Sequence, residues 1–133
     1  MKVLLDTNAY KQFFEALDKN ILDQVNFAET VYASVIVLGE LVVGYLGGSR
    51  YQNNKKILRL FLDQANTEIL PVTNETAQLY AEIKYALLRK GKPIPTNDIW
   101  IAAQSIENGA VLITYDPHFR QIPGLRIWDK LKF

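Results

Sequence analysis

The sequence predicts an α/β protein whose central parallel sheet of about four to five short strands is flanked by helices. Short apolar runs alternate along the chain with longer segments in which apolar residues recur at the spacing of a helix. That alternation is typical of parallel strands that helices cover on both faces. No repeat, low-complexity tract or change in composition divides the 133 residues, so we expect one domain spanning residues 1–133.

The first part of the chain predicts two strands, each followed by a helix. KVLL is typical of a strand, and the next segment should place large apolar residues on one helix face, namely Tyr10, Phe13, Phe14 and Leu17. TVYAS predicts the second strand. Its last residue, Ser34, is suited to cap the next helix, because serine side chains accept hydrogen bonds from free backbone N–H groups.

The middle of the chain predicts two further helices with a strand between them. The first of these is amphipathic, and EILPV follows it as a short strand. A long helix should span Asn74–Lys90, until the segment GKPIP ends it. The apolar residues that define the amphipathic helix are Ile57, Leu58, Phe61 and Leu62.

The last part of the chain predicts one helix and two closing strands. Thr96 should cap the helix, which ends at Gly109. The runs AVLIT and LRIW then predict the closing strands.

Composition limits the classes of function. With 15 basic and 14 acidic residues the net charge is +1, so a nucleic-acid ligand would need a local basic patch. The absence of cysteine excludes disulfides and thiolate metal sites and suits the cytoplasm, where we place the protein. We expect no signal peptide and no membrane span. The apolar run Ser34–Ser49 contains Glu40 and is shorter than the roughly 20 residues that a spanning helix needs.

Four acidic residues occupy positions that a parallel sheet could bring together. Asp6 directly follows the first predicted strand, and Asp116 comes shortly after AVLIT. Asp98 lies in the first turn of its helix, and Glu40 lies about two turns into another. In open α/β sheets ligands bind beyond the carboxyl ends of the strands, so a common site at that edge is expected.

Each acid also has a purely structural explanation. Asp6 could form an Asx turn or a helix cap, Asp98 could favour its helix dipole, and Asp116 could cap a helix that begins at Pro117. Glu40 is harder to explain in this way, because the helical residues around it supply no counter-charge. Pairing of Glu40 with a distant Lys or Arg remains the alternative to a site role.

Converging carboxylates need a compensating cation. Without one, their mutual repulsion should raise the pKa of at least one of them above its usual value. A divalent cation resolves the repulsion, and oxygen ligands without His or Cys suit Mg²⁺ or Mn²⁺ rather than zinc.

The motifs LLDTN, S…GEL, TNDIWIAA and LITYDPHF resemble, in order and spacing, those of the PIN-domain nucleases. The resemblance is greatest to the VapC-type toxins of bacterial and archaeal toxin–antitoxin pairs. It implies a PIN fold, an Mg²⁺- or Mn²⁺-dependent endoribonuclease that hydrolyses RNA phosphodiester bonds, an antitoxin that binds and silences it, and a homodimer. By motif position the catalytic and metal-binding acids are Asp6, Glu40, Asp98 and Asp116, and the supporting polar residues are Asn8 and Thr114.

Within such a site we expect Asp6 and Asp98 to be the principal metal ligands. Asp116 would hold a second ion or orient water, and Glu40 would bind through water or act as a base. The number of ions, one or two, stays open at this point. Basic residues that lead into Asp98 are candidate contacts for RNA phosphates, although a solvated helix end explains them equally well; they are Lys84, Arg89, Lys90 and Lys92.

Particular residues exclude two other protein families, while two alternative functions remain. A phospho-acceptor receiver domain would need an acceptor Asp after the central strand, and EILPVTN offers none. A haloacid-dehalogenase-type phosphatase needs an Asp where Asn8 stands. A housekeeping PIN nuclease without an antitoxin and a catalytically silent PIN-like binding module remain alternatives.

Apolar residues of two predicted helices would serve either as core or as the surface that a partner covers. They are Tyr10, Phe13, Phe14 and Leu17 on the first helix and Val42, Val43, Tyr45 and Leu46 on the helix of Glu40.

Overall fold

A computed structural model describes residues 1–128 and shows a four-stranded parallel sheet in the order β3-β2-β1-β4. The strands are β1 (Lys2–Leu5), β2 (Thr30–Ser34), β3 (Thr67–Leu70) and β4 (Val111–Ile113). The predicted α/β architecture is therefore confirmed. Because every pair is parallel, the carboxyl ends of all four strands lie at one edge of the sheet.

Six α-helices and one short 3₁₀ helix surround this sheet in residues 1–128. They are α1 (Thr7–Ala16), α2 (Lys19–Phe27), α3 (Val35–Leu46), α4 (Tyr51–Leu62), α5 (Asn74–Lys90), α6 (Thr96–Glu107) and the 3₁₀ helix Pro117–Gln121. None of these helices combines the length and the apolarity needed to cross a membrane.

The strand β1 lies inside the sheet and contains only apolar residues after Lys2. Val3, Leu4 and Leu5 are completely buried, because helices cover both faces of the sheet. In the register of the sheet, Leu5 lies beside Ile113 of β4. The next residues of the two strands, Asp6 and Thr114, are therefore brought together at the carboxyl edge.

A buried glutamine links the helices that carry two of the predicted site residues. The Ser34 hydroxyl accepts a hydrogen bond from the N–H of Ile36 at 3.1 Å, which confirms Ser34 as the cap of α3. The same hydroxyl donates to Oε1 of Gln104 on α6 at 2.5 Å. The Gln104 amide in turn donates to the carbonyls of Leu70 and Pro71, so one side chain joins α6 to the ends of β2 and β3. This contact holds α3 and α6 in place relative to the sheet edge.

The region after the first helix differs from the prediction. Leu17 does not share a helix face with the aromatic residues, because it ends α1 in the left-handed conformation with φ 49° and is 74% exposed. A second helix, α2, follows at once and was not predicted from the sequence. Asp18 starts it by accepting hydrogen bonds from the N–H groups of Asn20 and Ile21.

Two predictions in the last third are also wrong. Thr96 is the first residue of α6 rather than its cap; Pro95 precedes the helix, and no side chain caps it. The run LRIW does not form a strand, because only Ile127 makes an isolated bridge, to Leu112 of β4. A third difference lies in the middle of the chain, where the strand predicted at EILPV begins one residue earlier, at Thr67, and ends at Leu70.

The aromatic residues of α1 belong mainly to the core. Tyr10 is buried and donates its hydroxyl to the carbonyl of Tyr32 at 3.0 Å. Its ring and those of Phe13 and Phe14 pack against Phe61 of α4, with centroid separations of 5.3–5.6 Å. These contacts favour the core interpretation for α1. On α3, by contrast, two apolar side chains that the sequence singled out are strongly exposed, namely Val43 and Leu46.

Candidate active site

All four predicted acids line one pocket at the carboxyl edge of the sheet. This acidic pocket has a volume of about 360 Å³. We call its four carboxylates the acidic cluster: Asp6, Glu40, Asp98 and Asp116. The other residues that line the pocket are Thr7, Asn8, Lys11 and Val43.

Asp6 is fixed by hydrogen bonds to both of its carboxylate oxygens. Oδ1 accepts from the N–H of Ala9 at 2.8 Å, which makes Asp6 the N-cap of α1. Oδ2 accepts from the Thr114 hydroxyl at 2.5 Å. The structural role that the sequence allowed for Asp6 is therefore real, and it holds the carboxylate at the wall of the acidic pocket.

Glu40 is supported by two neutral donors. Its Oε1 accepts from the Thr7 hydroxyl at 2.5 Å, and its Oε2 accepts from the Asn97 side-chain amide at 3.3 Å. No Lys or Arg within residues 1–128 forms an ion pair with Glu40. The alternative of a distant basic partner is therefore not what the described part of the chain shows. Glu40 is tolerated in an apolar helix because its carboxylate accepts two hydrogen bonds and lines the acidic pocket.

Asp116 is tied to the same structure through Thr114. The backbone N–H of Asp116 donates to the Thr114 hydroxyl at 2.9 Å, and this hydroxyl also bonds Asp6. Oδ1 of Asp116 accepts from the N–H of His118 at 2.9 Å and lies 3.0 Å from its imidazole Nδ1. Thr114 therefore forms hydrogen bonds with two members of the acidic cluster.

Among the four acids, Asp98 shows the clearest shift in pKa. It lies half-buried in the first turn of α6, and its pKa is raised to about 6, with burial as the largest cause. The negative charges of Asp116, Asp6 and Glu40 contribute further, in that order, while the imidazole of His118 acts in the opposite direction. The predicted crowding of carboxylates is thus visible in the pKa of Asp98.

The pKa of Asp6 is also raised, but hydrogen bonds to its carboxylate act against the increase. Burial raises its pKa above the ordinary value, and the hydrogen bonds from Thr114 and Ala9 partly offset that increase. The charges of Asp116 and Glu40 then raise the pKa further. Both carboxylates are therefore in a site with an excess of negative charge.

The remaining predicted residues divide into two groups. Asn8 lines the acidic pocket and is exposed. The four basic residues proposed as RNA contacts do not line it: Lys84, Arg89, Lys90 and Lys92. Arg89 instead lies over the ring of Tyr85, at 5.8 Å from the ring centroid.

Sequence reasoning missed three residues that the structure places in or beside the pocket. Thr7 and Asn97 each adjoin a predicted acid in sequence, and both bond Glu40. Lys11 lines the acidic pocket from α1. Its position four residues after Thr7, and hence on the same helix face, was the signal that could have identified it.

The donor chemistry of the cluster fits a hard divalent cation. All four side chains offer oxygen, and the raised pKa of Asp98 reports a site where added positive charge would be stabilising. Within residues 1–128, no three His, Asp or Glu side chains are arranged to enclose one ion directly. Mg²⁺ usually keeps several waters and contacts one or two carboxylates, so this arrangement suits an ion held partly through water.

Comparisons with known proteins agree with this fold. The family model for the PIN domain matches residues 3–125. Ribonuclease VapC5 of Mycobacterium tuberculosis is 30% identical over 103 residues, which cover 77% of this chain and 76% of that protein. The crystal structure of VapBC2 from Rickettsia felis, bound to a promoter DNA fragment, matches with a TM-score of 0.87 and 27% identity, covering 96% of this chain and 98% of that one. The crystal structure of VapBC-5 from Mycobacterium tuberculosis, a member of the VapBC family of toxin–antitoxin systems, matches with a TM-score of 0.68 and 27% identity. The match covers 95% of this chain and 98% of that one.

Proposed function

Because the chain belongs to the PIN-domain family, and within it to the VapC ribonucleases, we propose that its acidic cluster hydrolyses RNA phosphodiester bonds with Mg²⁺ or Mn²⁺. The observation that supports this assignment is the convergence of four carboxylates on one pocket. Two of them have raised pKa values, and no Lys or Arg of residues 1–128 pairs with any of the four. Such a site is costly for a protein that does not use it.

The chain's own residues divide the work of this site. Asp6 is held at both oxygens, and with Asp98 it would hold the ion; Asp116, which shares Thr114 with Asp6, would hold a second ion or orient water. When bound, the ion polarises a phosphate oxygen and lowers the pKa of water. Glu40, supported by Thr7 and Asn97, would bind through water or accept the proton of the attacking water.

We propose that the partner of this chain is an antitoxin protein. The solved relatives named above are VapBC complexes, which supports a partner of that kind. Val43 lines the acidic pocket and is 70% exposed, and Leu46 on the same helix is 66% exposed. An apolar segment of the antitoxin that covers these two side chains would also close the pocket to RNA. A homodimer remains a proposal that rests on the resemblance to VapC toxins.

Purified protein, freed of any partner, should cut total cellular RNA when Mg²⁺ or Mn²⁺ is present. EDTA should remove the activity, and added metal should restore it, because the carboxylates alone cannot neutralise the charge that develops on the phosphate. Mapping the cut ends by sequencing the products measures both the activity and the preferred site.

The control is Asp6→Asn purified in the same way, which shows how much of the cutting comes from a contaminating ribonuclease. Undiminished cutting in EDTA, or no cutting of any RNA with either metal, would contradict the proposed activity.

A further inference from the structure

We propose that a groove beside the acidic pocket binds the RNA nucleotide adjoining the cleaved phosphate; this rests on the RNA cleavage proposed above. We call it the flanking groove. It lies between α1, α3 and the start of α4, and it has a volume of about 390 Å³, within the size range of small-ligand sites. The residues on which the argument depends are Lys11, Glu15, Gly44, Tyr45, Arg50 and Asn54.

The flanking groove adjoins the acidic pocket. Lys11 lines both cavities, and the helix α3 that supplies Glu40 and Val43 to the pocket supplies Gly44 and Tyr45 to the groove. An RNA strand whose phosphate lies at the carboxylates would therefore extend past Lys11 into the groove.

Charge favours RNA as the occupant. A polyanion that approaches four carboxylates needs cations besides any metal, and Lys11 supplies one at the junction of the two cavities. Arg50 supplies a second, further along the groove. Neither residue forms an ion pair with any residue between 1 and 128, so both charges are available to phosphates.

The shape and chemistry of the lining fit a nucleotide better than an apolar protein segment. At Gly44 a Cβ atom would meet no heavy atom within 4 Å, so the absence of a side chain leaves the wall of the groove open. Half-buried Tyr45 offers an aromatic ring on which a base could stack. Glu15 and Asn54 offer hydrogen-bonding groups for a base edge.

A pair of glycine substitutions on one helix tests the groove. Gly44→Leu should lower kcat/KM for a long RNA by about tenfold, because the new side chain fills the space for one stacked base. Gly39→Leu is the matched control, since Gly39 also lies on α3, would also accept a Cβ with no heavy atom within 4 Å, and lines neither cavity. It should stay within about twofold of wild type. Circular dichroism melts check that both variants fold.

A pair of lysine substitutions tests the charge. Lys11→Gln should raise KM about tenfold and reduce the slope of log binding against log salt by about 0.7, the value for one lost phosphate contact on a single strand. Lys2→Gln is its control, because Lys2 starts β1 at the opposite edge of the sheet and lines neither cavity.

Repeating the assay with RNA shortened on each side of the cut should abolish the effect of Gly44→Leu for one of the two truncations.

The outcomes separate this proposal from the one on which it rests. If wild type cuts RNA with Mg²⁺ while Gly44→Leu and Lys11→Gln behave like their controls, the flanking groove is not an RNA subsite and the nuclease remains. If those variants cut normally but no longer co-purify with the antitoxin, the groove belongs to the protein partner and the proposal is wrong. If wild type cuts no RNA under any metal condition, the proposed function fails, and the RNA subsite fails with it.

Discussion

Replacing Asp98 with asparagine should reduce metal-dependent RNA cleavage by about 100-fold or more while making the metal-free protein more stable. Activity falls because the variant loses one of the two carboxylates expected to hold the ion, and even groups that only support a metal ligand are worth about 10–100-fold. Stability rises because the variant removes a carboxylate whose ionisation the fold opposes. The measurements are initial rates of RNA cleavage and thermal melts in EDTA.

The sign of the stability effect follows from the raised pKa. Asp98 has a pKa of about 6 in the folded state, above its unfolded value of 3.8, so the folded protein binds more protons in that interval. This group's contribution to stability is fully present below pH ~4 and is lost as the pH rises through about 6. At pH 7 Asp98→Asn should raise the free energy of unfolding by about 1 kcal/mol, since solvent screens a half-buried charge. The variant should also have a flatter stability profile between those pH values.

Asp23→Asn is the matched control, because Asp23 lies on α2 and does not line the acidic pocket. It should leave both cleavage and the pH profile close to wild type. Full activity in folded Asp98→Asn would remove Asp98 from the site. An unchanged melting temperature at pH 7 would contradict the crowding of charge in the acidic cluster.

Expression of the wild-type chain without a partner should arrest growth, and Asp6→Asn should relieve the arrest. The amide side chain introduced by Asp6→Asn can still accept the hydrogen bond from Ala9 and bond the Thr114 hydroxyl, so the variant keeps the cap of α1 while it loses the carboxylate. Co-expression of the small gene expected beside this one should also relieve the arrest and yield a complex that co-purifies. Colony counts after induction, together with western blots of both proteins, measure the effect.

Equal growth of cells that express wild type and Asp6→Asn at equal levels would contradict the toxin interpretation. A housekeeping PIN nuclease would then replace it, provided that the purified protein still cuts RNA with Mg²⁺. Asp23→Asn serves again as a control and should remain as toxic as wild type.

The positions of the four acids could be predicted because they depend on local sequence and on one general property of parallel sheets. Asp6 directly follows β1, Asp116 comes shortly after β4, and parallel strands gather their carboxyl ends at one edge. Asp98 in the first turn of α6 and Glu40 on α3 were expected at the same edge, and the motif resemblance named the same four acids. The structure confirms that all four line one pocket.

The contacts that support those acids could not be predicted, because they join residues far apart in sequence. Thr7 and Asn97 are 33 and 57 residues from Glu40, and Gln104 is 70 residues from Ser34. No periodicity or composition records such a pairing. Proximity in sequence was misleading for the basic residues before Asp98, which do not line the pocket, whereas Lys11 does.

The central claim is that the acidic cluster holds the metal with which this chain cuts RNA, and a calorimetric titration with Mn²⁺ tests it most directly. Wild type and Asp23→Asn should bind Mn²⁺ with the same affinity at pH 7, and Asp6→Asn and Asp98→Asn should each bind at least about tenfold more weakly. Binding that is equal in all four proteins would place the ion elsewhere and contradict the claim. So would a wild type that binds no Mn²⁺ and yet cuts RNA in EDTA.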